Sequence, residues 1–430
     1  MEVITTVDQR KEAFLAGLTR ASGHPLASPA LVASANQVLL DHPVPTTRTE
    51  AWKYTRVGRV LNLDLQKSNE TPAIQPYLLP LSDPNAAKIV LVNGQFRADM
   101  SILPKAENLR VQALSDALAT GLANPKHGIG SLQNIEKDWF AALNMRYASA
   151  GIYIHVPKGQ IVESPIYILN LTSGSAAASI VRHIIDVEDQ ASLNVIFHSA
   201  STAGCIGFHS SVLEAHVGQN ASLSIDKVQD EQGEVHQHAT EWVAQARDSR
   251  FDIRTLTLRG QWVRNNLNIR SQGENTATNL FGTYMPTGAE HIDNQTMIDH
   301  QVPHCTSNET YKGFLNGRST GVFNGKVFVR QDAQKTNAYQ QNGNILLSDT
   351  ATMNAKPELE IYADDVKCSH GSTTGQLDEE ALFYLRARGL NKRSARQLLV
   401  EAFVGEIIEE ISDEALRNYC LAALHERAGA

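Results

Sequence analysis

The chain has 430 residues, 42% hydrophobic, 20% charged and only 6% aromatic. That apolar content suits a folded protein, and the length exceeds one ordinary core, so several compact domains or one elongated repeat are required. Thirty-eight Lys and Arg against 46 Asp and Glu leave a net charge of −8 with no basic stripe, which argues against nucleic acid as a partner. No run of about eighteen apolar residues exists, and Met1-Glu2-Val3-Ile4-Thr5-Thr6 lacks the basic start and apolar block of a secretory signal; the expectation is a cytoplasmic protein with no membrane partner.

Residues 1–147 read as a mainly helical region with a short strand hairpin. A helix runs from Asp8 to Leu18, and Ser28-Pro29 is an N-cap with proline at the first helical position. Leu31, Val32, Ala35, Val38 and Leu39 then share one face. Ile89-Val90-Leu91-Val92 followed by Asn93-Gly94 reads as a strand entering a tight turn, and a further helix is expected from Leu132 to Met145.

Residues 148–372 change texture to short alternating runs separated by Gly, Asn, Asp and Ser. The runs recur. Asp189-Gln190-Ala191-Ser192-Leu193 resembles Gln219-Asn220-Ala221-Ser222-Leu223, then Asp248-Ser249-Arg250-Phe251, then, more loosely, Asn275-Thr276-Ala277-Thr278. A period of about 28–30 residues is too short for a propeller blade and favours a parallel β-helix, with a β-sandwich as the competing fold. The low aromatic content predicts a narrow lumen filled by Val, Ile, Leu and Ala. Residues 373–430 return to helix: Asp378 caps Glu379 to Arg388, Gly389 ends it, Asn391 starts a second helix to about Ile411, and Ser412 opens a third. Leu398, Leu399, Ala402, Phe403, Ile407, Ile408 and Ile411 form a broad apolar set, predicted to be buried against the end of the solenoid or a partner chain.

Cys205, Cys305, Cys368 and Cys420 form no CxxC pair, so any thiol site needs ligands from elsewhere. Cys368-Ser369-His370-Gly371 is the sharpest local feature, because residues i and i+2 of a strand project to one face and place thiol beside imidazole. Such a pair can bind iron, zinc or a cluster edge, can act as nucleophile and base, or can be a buried Cys beside a hydrogen-bonded His. His300, His304 and Cys305 form a weaker metal-site candidate within six residues, in competition with a turn of exposed polar groups. His236 and His238 share a strand face that reads as solvated. No phosphate-binding glycine motif is present.

The stretch Pro357-Glu358-Leu359-Glu360-Ile361-Tyr362-Ala363-Asp364-Asp365-Val366-Lys367-Cys368-Ser369-His370-Gly371, with Leu382-Phe383-Tyr384-Leu385-Arg386-Ala387-Arg388-Gly389, resembles the SufB/SufD family, which builds iron–sulfur clusters. The resemblance extends through Gly321 to Val327 and Asp332 to Ala338, and weakly to Glu50-Ala51-Trp52-Lys53-Tyr54-Thr55. The Cys-Ser-His-Gly and Phe-Tyr-Leu-Arg runs match the SufD form rather than SufB. This resemblance implies a mainly β fold, a right-handed parallel β-helix flanked by N-terminal and C-terminal α-helical regions. It implies a non-catalytic scaffold that pairs with SufB and docks the SufC ATPase through its C-terminal helices, with Leu398, Leu399, Ala402, Phe403, Ile407 and Ile408 as the docking candidates. His370 matches the histidine that acts with a SufB cysteine where the nascent cluster forms, and Cys368 stands beside it in a less secure role. The implied cargo is a transient iron–sulfur cluster or iron shared with SufB, with no cofactor held tightly by the isolated chain, and the exposed sheet edges would let that chain form a homodimer. The alternatives are a stand-alone β-helix enzyme, an acyltransferase or glycan-active protein, and a purely structural SufB partner. The first of these lacks a hexapeptide repeat and a localised carboxylate cluster.

Overall fold

A left-handed backbone position recurs once per coil along the middle of the chain, at Gln190, Asn220, Asp248, Asn275, His304 and Lys335. Each of these residues donates its backbone N–H to the carbonyl just before the equivalent corner of the next coil: Gln190 to Gln219, Asn220 to Arg247, Asp248 to Glu274, Asn275 to Pro303, His304 to Gln334 and Lys335 to Asp365. The residue that follows each corner, Ala191, Ala221, Ser249, Thr276, Cys305 and Thr336, is small and buried. Stacked corners of this kind turn a weak sequence repeat into a continuous ladder. The structure is a computed structural model that describes residues 6–68, 70–104, 109–122 and 125–429.

The N-terminal region contains helices α1 (Val7–Ala21), α2 (Pro29–Asp41), α3 (Gly58–Leu61), α4 (Leu114–Ala119) and α5 (Trp139–Tyr147), and strands β1 (Ala87–Val92), β2 (Gln95–Phe96) and β3 (Arg110–Ala113). Ser28 and Pro29 start α2 as expected. Asn93 and Gly94 both adopt positive φ and join β1 to β2 as a two-residue hairpin. The helix expected from Leu132 begins only at Trp139, where Asp138 caps the Phe140 and Ala141 amides. The preceding stretch forms a loop with a single 3-10 turn at Ile135–Lys137, and the Gly130 and Leu132 amides before it donate to the buried Glu214 carboxylate.

The chain then runs through β4 (Ile152–Val156), β5 (Ile166–Thr172), β6 (Ala177–Val187), β7 (Ser192–Ser201), β8 (Ile206–Val217), β9 (Ser222–Glu231), β10 (Glu234–Gln245), β11 (Arg250–Arg259), β12 (Trp262–Ser271), β13 (Ala277–Tyr284), β14 (His291–His300), β15 (Thr306–Leu315), β16 (Thr320–Val329), β17 (Asn337–Leu346), β18 (Thr352–Ile361) and β19 (Lys367–Gln376). From β5 onward the odd-numbered strands join β1 and β2 in a ten-stranded sheet, and from β4 the even-numbered strands join β3 in a nine-stranded sheet. Apart from the antiparallel pairs β1–β2 and β3–β4 at the N-terminal end, neighbouring strands of each sheet are parallel and lie one coil apart, which makes the architecture a parallel β-solenoid between helical regions.

The lumen is mainly apolar in its early coils, with Ile154, Ile168, Ile185, Leu193 and Val195 in one cluster, although Asn170 and His183 are buried on the same inward faces. The later coils depart from the expected Val, Ile, Leu and Ala filling. Lys227 Nζ lies 2.6 Å from Glu241 Oε1 and 2.9 Å from Asn265 Oδ1, and Asn342 Nδ2 donates to Tyr284 Oη at 3.1 Å, all buried. Paired and hydrogen-bonded, such groups are tolerated inside.

The outer face of the even-stranded sheet is covered by the N-terminal region. Trp52 and Phe140 stack there with His238, and Thr55 donates to Asp293, so the Glu50 to Thr55 motif straps this region to the solenoid. His236 and His238 do share a strand face, but it is buried rather than solvated, and burial drives the His238 imidazole well below its ordinary pKa. The outer face of the odd-stranded sheet is covered by α7 (Lys392–Glu409) and α8 (Glu414–Ala428), which follow the short α6 (Glu379–Ala387). These helices pack along the flank of the solenoid rather than on its end, where Val400, Val404, Ile407, Ile408 and Ile411 meet Val228, Leu256, Leu258 and Phe314. The cap of α8 is Asp413 rather than Ser412, and Asp413 also accepts from the Ser82 amide and hydroxyl. Among the described residues no helix is long and apolar enough to cross a membrane.

Candidate functional site at the open end of the solenoid

The two ends of the solenoid differ. At the N-terminal end the sheets finish in the short strands β2 and β3, where Phe96, Leu109 and Val111 pack against the lumen core. At the other end they finish in β18 and β19, ten residues each, with no further strand stacked beyond them among the described residues. Pro357 in β18 is compatible with a terminal strand, since proline has no N–H for a further ladder.

Cys368 and His370 lie on β19. The in-register pairing continues one inward row from Val195 through Ile225, Ile253 and Leu280 to Glu309, Gln340 and His370. The row is apolar for four coils and polar for the last three. Cys368 ends the neighbouring row above Ala338 and packs beside Val327, Val329 and Ala363, half-buried. Burial pushes its thiol above the ordinary value, with a backbone hydrogen bond at Ala338 acting the other way. The side chain is therefore held as a thiol and binds metal only by giving up its proton, which makes it a poor free nucleophile. His370 is exposed because no coil covers it. The expectation that both side chains lie on one face is met, and the face is the inward one, laid open at the terminal coil.

Below this rim lies Glu309, fully buried, accepting from Thr296 Oγ1 at 2.5 Å and from Gln340 Nε2 at 2.7 Å. Burial pushes its carboxyl up to about 7, against the pull of those two hydrogen bonds. Glu309 and Gln340 were not singled out from the sequence; the signal was there in polar residues at positions where the preceding coils carry Ile253 and Leu280.

His300, His304 and Cys305 are not brought together. His300 is buried with Nε2 2.9 Å from Ser307 Oγ, and burial lowers it to about 4. His304 is the exposed left-handed corner residue, and Cys305 is the small buried residue after it, its Sγ facing the carbonyls of Gly273, Val302 and Pro303. Their proximity in sequence is one more copy of the corner motif. Among the described residues no group of three or more His, Cys, Asp or Glu side chains is placed to hold a metal ion.

The C-terminal apolar set divides in two. Ile407 and Ile408 are buried against the solenoid, and Phe403 is half-buried beneath Lys312, whose Nζ is 4.9 Å from the ring centroid, so these three face the chain's own sheet. Leu398, Leu399 and Ala402 face away and, with Phe383 and Tyr384 of α6, line a groove of about 960 Å³ rimmed by Asp378, Glu379 and Glu380. Phe383 is 73% exposed and Tyr384 58%, while Leu382 is the buried residue of α6. The helical pattern around Leu382 carried the signal for these two aromatics.

Two family models match the chain: the SUF system FeS cluster assembly, SufBD core domain over residues 170–403, and the SufBD protein N-terminal region over residues 29–168. The chain belongs to the SufBD family. Its relatives include the iron–sulfur cluster assembly protein SufD of Escherichia coli, 31% identical with 91% of each chain covered. A SufBD family protein of Synechocystis is 31% identical over 87% of this chain and 85% of its own, and SufD of Bacillus subtilis is 25% identical over 68% of each. As a member of this family of cluster assembly proteins, the chain carries the SufBD core on the solenoid, with the open rim and the residues that line the α6–α7 groove inside the matched range.

Proposed function

We propose that this chain is the SufD-type scaffold subunit of a cytoplasmic SUF assembly complex, pairing with SufB through the open end of its solenoid and docking the SufC ATPase in the α6–α7 groove. The observation that carries the reading is the position of His370, the last and exposed rung of an inward row, beside Cys368 on a terminal strand that pairs with β17 on one edge and, among the described residues, with no strand on the other. A second chain placed on that edge would complete the ladder and enclose the imidazole at the junction. One imidazole cannot hold a cluster, so SufB supplies most ligands, and the isolated chain binds iron or a cluster only weakly. Neutral imidazole suits iron, and the Cys368 thiol supports it or joins once metal displaces its proton. The chain itself catalyses no step in this reading; ATP hydrolysis in SufC bears on α7, which is seated on the solenoid through Val400, Val404 and Ile408, and so moves the SufB junction.

The test is anaerobic cluster assembly in the co-expressed complex. His370→Ala is expected to lower cluster yield at least several-fold while co-purification with SufB and SufC persists, and Cys368→Ala to have the smaller effect. Full cluster formation with His370→Ala would remove the ligand role, and failure of the unmodified chain to co-purify with either partner would overturn the complex.

A further inference from the structure

His370 stands one rung above Gln340, and Gln340 one rung above Glu309, all on the inward face. Gln340 is buried, and its Nε2 is committed to Glu309 Oε2 at 2.7 Å. An amide whose NH2 group is held by the rung below directs its carbonyl away from that rung. The carbonyl, Oε1, is buried without a hydrogen-bond partner among the described residues. Thr296 anchors Glu309 from the opposite sheet, and Gly325 on that sheet leaves the slot in which the amide lies, since a Cβ there would stand 2.2 Å from Gln340 Nε2. The Thr-to-Glu bond, the glycine slot and the amide form one support, and its unused acceptor is one coil from the exposed imidazole.

We infer that Gln340 is a positioning residue for His370: its Oε1 accepts the N–H of one ring nitrogen, which fixes the tautomer and turns the lone pair of the other nitrogen toward the open end. Histidines that bind metals commonly donate their second ring nitrogen to a carbonyl or carboxylate, and here the fold supplies that acceptor from the neighbouring coil. The functional consequence rests on His370 being a ligand, as proposed above; the contact itself does not.

The two are separable by nitrogen NMR of the full chain labelled in its histidine rings, the His370 signal being the one lost in His370→Ala. In the unmodified chain one His370 tautomer should dominate. Gln340→Met keeps length and volume but removes the carbonyl, and Gly325→Ala displaces the amide without deleting it; in both, the two tautomers should approach the ratio of a free imidazole, while the His300 and His238 signals stay in place and report an intact fold. Glu309→Gln, which still accepts from Gln340, should preserve the dominant tautomer. An unchanged His370 tautomer ratio in Gln340→Met or Gly325→Ala with the fold intact overturns the inference. In the co-expressed complex Gln340→Met should lower cluster yield in the same direction as His370→Ala and by less. If the tautomer shifts but neither substitution lowers cluster yield, the positioning contact stands and the ligand role falls.

Discussion

His370 and Glu309 occupy the same inward row of the solenoid but answer to opposite environments, one uncovered by the end of the fold and the other sealed two coils below. The sealed carboxyl makes a pH prediction. Its folded pKa of about 7 lies above the ordinary 4.5, so between those values the folded chain holds a proton that the unfolded chain has released. Its contribution to stability is therefore complete below about pH 4.5 and is lost as pH rises through about 7, amounting to about 3 kcal/mol at roughly 1.4 kcal/mol per pH unit. Glu309→Gln removes that dependence, so urea unfolding at pH 5 and pH 8 should show the variant gaining on the parent at the higher pH; an equal difference at both would disprove it. At this scale the sequence was informative about pairs and misleading about clusters. Cys368 and His370 were legible because strand alternation alone puts i and i+2 on one face. His304 and Cys305 looked like ligands because the corner motif of the repeat was hidden there by unusual residues, and only the backbone shows His304 to be the equivalent of Asn275.

Among the elements, α7 has two faces with separate duties. Ile408 is fully buried against the outer face of the odd-stranded sheet, and Ile408→Ala should cost about 2–5 kcal/mol, seen as an earlier thermal unfolding transition. Leu398 is 45% exposed and lines the groove with Phe383. Leu398→Asp or Phe383→Asp should change stability by no more than about 0.5 kcal/mol yet abolish SufC capture in a pull-down. Retained capture by both variants would remove the groove from the proposed interface. The apolar set from Leu398 to Ile411 was visible in the sequence, but hydrophobicity alone does not distinguish a face that meets the chain's own sheet from one that awaits a partner. The same limit explains why the C-terminal helices could be read correctly in extent and not in placement: caps such as Asp378 and Asn391 are local signals, whereas lying along the flank depends on Val228, Leu256 and Phe314 from three different coils.

The whole molecule is a solenoid closed at one end and open at the other, and this asymmetry sets its behaviour in isolation. The Lys367 N–H bonds inward to Thr336, so alternate residues of β19, including Cys368, His370, Ser372 and Thr374, direct their backbone groups away from the sheet. Such an edge invites pairing with a like edge, and the isolated chain should sediment as a dimer at micromolar concentration. Thr374→Pro removes one outward N–H without breaking an internal ladder bond and should shift that equilibrium to monomer; a dimer unaffected by it would place the contact elsewhere. The repeat from Gln190 to Asn275, the change of texture at both ends and the motif around His370 were sufficient to determine a β-solenoid with helical flanks and its family, because each is carried by residues near one another in the chain. Which end is open, that the lumen turns polar beneath His370, and which half of α7 is free were decided by the tertiary structure. Each depends on residues about one coil or more apart in sequence, whose meeting is set by strand register and stacking and by no local pattern.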